Sequence, residues 1–496
     1  MPLLTPRSAQ MTRASNLNKR ITESHGPKLI GYALEALATC NSVEDYDRAL
    51  ALSRFLLARA SEMDKEQLEA LMTHSRTTAF AIGDWSVYKS VLLRTLNVPA
   101  THSALNELAA TTTAAAVSVA ELSSQTHSFA RLAQAAVRKD AGNRIAVLQE
   151  VSRRLEKNPQ LSLLLSNISR DLVPDSSEGR ELFVYYANRY LASTGADQIQ
   201  TIGQGENWLD GLVFRPATQR PAEFGHQPRV SVLMAAFNAE KTLGYAARSI
   251  LDQTYRNIEL LICDDHSDDA TFEVAQELAC VDNRVRVFRS NDRQGPYNIR
   301  NNLIEQVSGD YITFQDADDV SFPSRIERQV ARLQQGDVDL VTARWIRVQA
   351  KPAFVFFPDD MASRPCVVSL MARAEIFRSI GRYTPARFGA DTEFFENARQ
   401  ELGAARHVEL KEVLLFGLWE PGSLTLTPGF EANMDGYRSP ARRLYAQLAF
   451  LRRAYGDRFI PEEQMAAKLS AAGILLPDAG ISEVEPAKVS GLTSEG

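Results

Sequence analysis

The chain runs to 496 residues, 45% hydrophobic and 23% charged, and its 55 Lys and Arg against 61 Asp and Glu leave a formal net charge of −6. That length is too great for one ordinary core and calls for two or three domains. The acidic balance argues against broad nucleic-acid binding, so any phosphate chemistry must be local.

In chain order, residues 1–26 carry Arg7, Arg13, Lys19 and Arg20 without the apolar stretch of a secretory signal, and read as a disordered basic tail. No run approaches the ~20 apolar residues that span a bilayer. From 27 to 202 the pattern is helical, with Tyr46, Ala49, Leu50, Leu52, Phe55, Leu56 and Leu57 on one stripe and a break at Asn158-Pro159. This reads as an α-helical domain that packs without chemistry of its own and offers a surface for a protein partner, self-association or the acceptor. Residues 203–227 mix Gly, Pro and polar residues without periodicity, as a linker that packs on the next domain does.

At Pro228 the character changes. Val230 to Met234, Ile258 to Cys263, Val285 to Phe288 and Tyr311 to Phe314 are strand-like, and the intervening segments Ala239 to Thr254, Ala270 to Ala279 and Ile299 to Val307 are helix-like. Such alternation predicts an α/β fold with a mostly parallel central sheet covered on both faces. The C-terminal part, 436–496, reads as a helix from Pro440 to Tyr455 followed by a tail whose last ~20 residues are disordered. The cysteines Cys40, Cys263, Cys280 and Cys366 are too widely spaced for a zinc ribbon or a disulfide framework and fit a reducing cytoplasm.

Ligands of parallel sheets sit outside the carboxyl ends of the strands. The residues following the four strands are Ala235-Ala236-Phe237-Asn238, Asp264-Asp265-His266-Ser267-Asp268-Asp269, Ser290-Asn291-Asp292 and Asp316-Ala317-Asp318-Asp319. Asn238 and Asp268 stand before helices and read as caps. Asp265, Asp316 and Asp318 do not, since clustered acids repel one another unless a cation or hydrogen-bond donors compensate. A divalent cation held by one or two carboxylates and completed by phosphate oxygens suits them. The P-loop pattern and the dinucleotide glycine fingerprint are both missing.

These segments, with Ser249 to Tyr255, Gly295, Arg300-Asn301 and Gly309-Asp310-Tyr311-Ile312, resemble in order and spacing the family 2 glycosyltransferases of GT-A fold, over about 228–335. The resemblance implies a nucleotide-sugar-binding half at 228–340, with Arg300 among its contacts, and an acceptor-binding half at 341–435. By the same resemblance Asp265 meets the nucleotide base, usually uracil, and Ala235, Ala236, Phe237 and Asn238 form the loop beside it. Asp316 and Asp318, around Ala317, are the D-x-D pair that contacts the ribose and binds Mn²⁺ or Mg²⁺ on the diphosphate, with Asp319 steadying its neighbours. His266 departs from the family's usual Gly or Asn.

Inversion by a hydroxyl needs a base on the acceptor side. Gly389-Ala390-Asp391-Thr392-Glu393-Phe394-Phe395 resembles the family segment that carries it, which makes Asp391 the expected base and Glu393 the reserve. Trp419-Glu420-Pro421-Gly422-Ser423 resembles the loop that closes over the donor, but without its usual basic residue, for which Arg382 and Arg387 are the candidate replacements. The expected activity is inverting, metal-dependent transfer of one sugar, from a UDP-sugar, to a glycan or lipid-linked glycan in bacterial capsule or lipopolysaccharide synthesis. That places the chain in the cytoplasm, peripherally at the inner membrane face. The rival readings are a nucleotidyltransferase, which lacks its glycine-rich loop here, and a non-catalytic nucleotide-sugar-binding scaffold.

Overall fold

The computed structural model describes residues 27–42, isolated positions between 49 and 134, and then 144–172, 176–217, 227–357, 359–420, 427–430, 432, 438–455, 462–476 and 481–484. The basic tail and most of the closing loop after Glu420 lie outside the described residues. The chain divides into two compact units: Met1–Val147 with Phe357–Asp359 and Leu424–Met465, and Leu148–Phe356 with Asp360–Ser423 and Ala466–Gly496.

In the first unit the helix Pro27–Ser42 buries Ile30, Ala33, Ala36 and Leu37, the i, i+3, i+6, i+7 stripe of an amphipathic helix. The helix Pro440–Tyr455 carries no acidic residue and buries Tyr445, Leu448, Ala449 and Phe450.

The second unit is built on a ten-stranded sheet. Its centre is β3 (Val230–Ala236), flanked by β4 (Ile258–Asp264) and β6 (Tyr311–Phe314), with β5 (Val285–Ser290) outside β4, all in parallel register. β4 is buried at every position and β3 at all but Ala235, as the unbroken apolar runs require of strands covered on both faces. Helices Leu243–Leu251, Thr271–Val281 and Pro296–Ile304 make the crossovers. Beyond β6 the sheet turns mixed. β10 (Ser363–Arg373) is antiparallel to β6 and to β8 (Leu340–Gln349), and β11 (His407–Leu418) is parallel to β8 and antiparallel to the short β7 (Val320–Ser321). A two-residue strand, β9 (Ala353–Phe354), pairs with β8.

The expected helical domain does not extend to 202. Helices Leu161–Leu172 and Ser177–Ser193 belong to the sheet's unit, because their apolar side chains need its core: Phe183 stacks on Phe354 at 4.9 Å and Asn167 hydrogen-bonds both Phe354 N and O. Nor is 203–227 a plain linker. β1 (Gln198–Thr201) and β2 (Val213–Arg215) form a hairpin whose connection buries Trp208, the indole N–H donating to Gln349 O at 2.8 Å. The tail also holds structure: β12 (Ile481–Val484) adds antiparallel to β5, and Arg286 pairs with Glu483 at 2.8 Å, so this piece of the tail is ordered by sheet pairing.

At the amino end of the parallel strands the nearly buried Glu259 accepts from Ser231 Oγ at 2.5 Å and from Ser308 N at 2.7 Å. The Gly309-Asp310 motif is structural here. A Cβ on Gly309 would meet Ser231 Oγ at 2.5 Å, and Asp310 accepts from Arg229 N.

Candidate active site

The loops after β3 and β4 are tied to each other. Asn238 adopts φ 47° and accepts from Asp268 N at 3.0 Å, while its own N–H donates to Ser267 Oγ. It is therefore a turn residue and not the helix cap that its position suggests, since the helix begins later, at Leu243. The cap reading of Asp268 fails too, because Asp269 supplies the oxygen to Thr271 N. His266 has φ 59° and is exposed, a left-handed position where Gly or Asn would be unstrained. Phe237 carries the guanidinium of Arg293 over its ring at 3.6 Å. Ala235 is half-buried, and Ala236 accepts from Asp265 N at 2.8 Å.

Asp265 is buried, and both its oxygens are engaged, accepting from Gln294 N at 2.7 Å and Gly295 N at 2.8 Å at the start of the helix Pro296–Ile304. Burial raises its pKa against the pull of those amides. Its visible work is to fix the turn before that helix.

The acids after β6 form the centre of the site. Asp316 is paired with Arg300 at 2.7 Å, and the guanidinium is nearly buried. Burial works against that charge, but Asp316 together with Tyr297, Tyr383 and Asp391 outweighs it, so the Arg300 pKa sits above its ordinary value. Burial, then the Asp316 charge, lifts Asp318 to about 6. Asp319 is driven well up by burial and then by Asp318. Its Oδ1 accepts from Leu418 N at 3.0 Å, while Oδ2 is buried without a hydrogen-bond partner. Ala317 is buried and keeps the turn compact. Among the described residues no three His, Cys, Asp or Glu side chains gather into a metal cage. The donor set suits an ion that takes one or two carboxylates and completes its shell from phosphate oxygens. An orphaned carboxylate oxygen beside two more acids fits that cation.

A buried arginine holds this loop from behind. Arg325, fully buried, donates to Gln315 Oε1, Ser321 Oγ, Thr313 Oγ1, Phe314 O and Gln329 Oε1 at 2.6–3.2 Å. Among the described residues no carboxylate pairs with it, and burial lowers its pKa to about 10.

Asp391 lies in the first turn of the helix Ala390–Leu402, after Gly389 at φ 79°, so the cap is the glycine. Its Oδ1 accepts from Tyr297 Oη at 3.2 Å, and that hydroxyl accepts from Gly389 N at 3.1 Å. Tyr297 is buried, and Arg300 sits 5.4 Å from its ring centroid. A contact chain therefore links Asp391 to the D-x-D segment: Asp391, Tyr297, Arg300, Asp316. Glu393, two residues on, projects from another side of the helix. Arg387 donates to Gly473 O, and Arg382 reaches Asn302.

Two side chains of this arrangement escaped the sequence reading: Tyr297 and Arg325. Tyr297 stands two residues past Gly295 inside a recognised segment, which was its one signal. Arg325 belongs to no motif that the sequence offers.

The Glycosyl transferase family 2 model matches residues 231–396. Over 109 residues the chain is 40% identical to the putative glycosyltransferase EpsE of Bacillus subtilis, covering 22% of this chain and 39% of that one. It is 34% identical over 113 residues to the Escherichia coli UDP-Glc:alpha-D-GlcNAc-diphosphoundecaprenol beta-1,3-glucosyltransferase WfgD, covering 23% and 44%. It is also 34% identical over 110 residues to the Campylobacter jejuni GalNAc(5)-diNAcBac-PP-undecaprenol beta-1,3-glucosyltransferase, covering 22% and 36%. The chain thus spans less than half the length of each of these relatives. From Ser231 to Glu396, over the parallel strands, the acid loop and the turn that carries Asp391, the chain is similar to glycosyl transferase family 2.

Proposed function

We propose that this site moves one sugar from a nucleotide-sugar, a UDP-sugar by preference, to a hydroxyl of a lipid-linked glycan, with inversion. The observation that carries the reading is the contact chain from Asp316 through Arg300 and Tyr297 to Asp391, which sets a donor-side acid pair and an acceptor-side base in one rigid frame. Two relatives that act on undecaprenol-linked diphosphates, one of them named for a UDP-glucose donor, support the substrate classes.

Asp316 and Asp318 are the residues that would hold Mn²⁺ or Mg²⁺, which when bound offsets charge on the leaving diphosphate. Asp391 takes the acceptor proton as the new C–O bond forms. Tyr297 fixes the direction of that carboxylate. Arg300 keeps Asp316 from repelling the incoming phosphates, and Arg325 holds the backbone on which the acids stand. No described helix is long and apolar enough to cross a membrane.

The test is nucleotide release from a panel of nucleotide-sugars with Mn²⁺, with donor binding measured on the same samples, for wild type, Asp318→Ala and Asp391→Asn. Release from one donor that needs metal and is lost in both variants supports the reading. Binding without turnover points to a scaffold or to an enzyme gated by its acceptor. A chain that binds no donor would sink the assignment.

A further inference from the structure

Resting on that reading, we propose that Arg347 is the fixed cation that contacts the diphosphate of the bound nucleotide, presented by a tryptophan platform at the carboxyl ends of β8 and β11. Its guanidinium lies over Trp345 at 3.6 Å from the ring centroid and 5.5 Å from that of Trp419. One donor, Nη1, reaches Leu418 O at 3.1 Å and stands 4.0 Å from Asp319 Oδ1, too far for a hydrogen bond. Among the described residues that is the one hydrogen bond it donates, although the side chain is only 16% exposed.

The placement is built rather than incidental. Trp345 and Arg347 are two apart in β8 and share a face, and Gly417 of β11 lies opposite Arg347. A Cβ there would meet Trp345 Cε3 at 2.8 Å and Arg347 Nη1 at 2.9 Å. The glycine opens the space in which the stack lies, and the stack holds a long cationic side chain in one geometry.

Charge decides the ligand. Asp316 is paired with Arg300, which leaves Asp318 and the added negative charge of a diphosphate on the same edge. A divalent ion between acids and phosphate leaves a fixed positive group on the protein favourable. A stacked guanidinium supplies it with the donors not given to Leu418 O and little rotamer entropy left to lose. Arg382 and Arg387, the candidates read from the sequence, are engaged at Asn302 and Gly473 O.

The experiment is calorimetric binding of nucleoside diphosphates (UDP, GDP, ADP) and the matching nucleosides, in Mg²⁺ and in EDTA, to wild type, Arg347→Gln and Trp345→Leu. With whichever diphosphate the wild type binds, Arg347→Gln should weaken it at least tenfold in both buffers and leave the nucleoside within twofold. Trp345→Leu keeps the charge but removes its platform, and should weaken the diphosphate several-fold with the nucleoside unchanged. It is the deciding variant if Arg347→Gln fails to fold. Equal losses for diphosphate and nucleoside, or no loss for either, would overturn the assignment and make Arg347 only a charge partner of Asp319. A wild type that binds no nucleotide removes the underlying reading, and Arg347's role with it.

Discussion

At the scale of single residues the most telling contact is that of Tyr297 with Asp391. Burial, then the Asp391 charge, pushes the phenol well above its ordinary pKa, so the hydroxyl is a donor throughout the physiological range. Tyr297→Phe removes one hydrogen bond to a charged group and should lower kcat roughly tenfold with KM little changed. Equal changes in kcat and KM, or none, would show that the hydroxyl does not orient the base. Asp318 makes a separate prediction. Its pKa of about 6 in the folded chain lies above the ordinary aspartate value of 3.8, so the folded state holds the proton more tightly than the unfolded one. The metal-free protein should therefore lose stability as pH rises from about 4 to 6, by at most roughly 3 kcal/mol from this group. Asp318→Asn should flatten that limb in thermal melts and raise Tm at neutral pH. Metal affinity should climb across the same window, because the ion must displace that proton.

At the scale of elements, β6 and its acid loop depend on Arg325. Truncating it to Ala leaves several buried acceptors without donors and should cost roughly 3–5 kcal/mol, read by urea unfolding, whereas a surface arginine such as Arg248 should cost almost nothing. A variant as stable as wild type would mean that the loop is held by its own turn. The strand β12 makes a second case. Ending the chain after residue 476 strips the antiparallel neighbour and the Arg286–Glu483 pair from β5. Amide exchange along 285–290 should then speed up while β3 stays protected. Unchanged exchange at β5 would show that β12 adds nothing to the edge it covers.

At the scale of the whole molecule, ligand and fold are linked: a nucleoside diphosphate with Mn²⁺ should raise Tm, and EDTA should reverse most of the gain. A Tm indifferent to both would speak against the site. Much of this arrangement was legible in the chain. Apolar runs of four to seven residues separated by helical stretches specify β3, β4, β5 and β6 and the helical crossovers between them, because local patterning and short connections leave few alternatives. The acid cluster followed, since parallel strands deliver their carboxyl ends to one edge, and Asp391 was singled out through a resembling motif. What escaped was held by contacts distant in sequence. The Phe183–Phe354 stack, the Trp208 contact and the β5–β12 pair join segments too far apart for any periodicity to announce. Alternation along β8 puts Trp345 and Arg347 on one face, but not which strand lies opposite or that Gly417 clears the room. A residue's side of its own element is written in local spacing; its neighbours depend on which strands pair, and that is settled by packing across the chain at the cost of closing long loops.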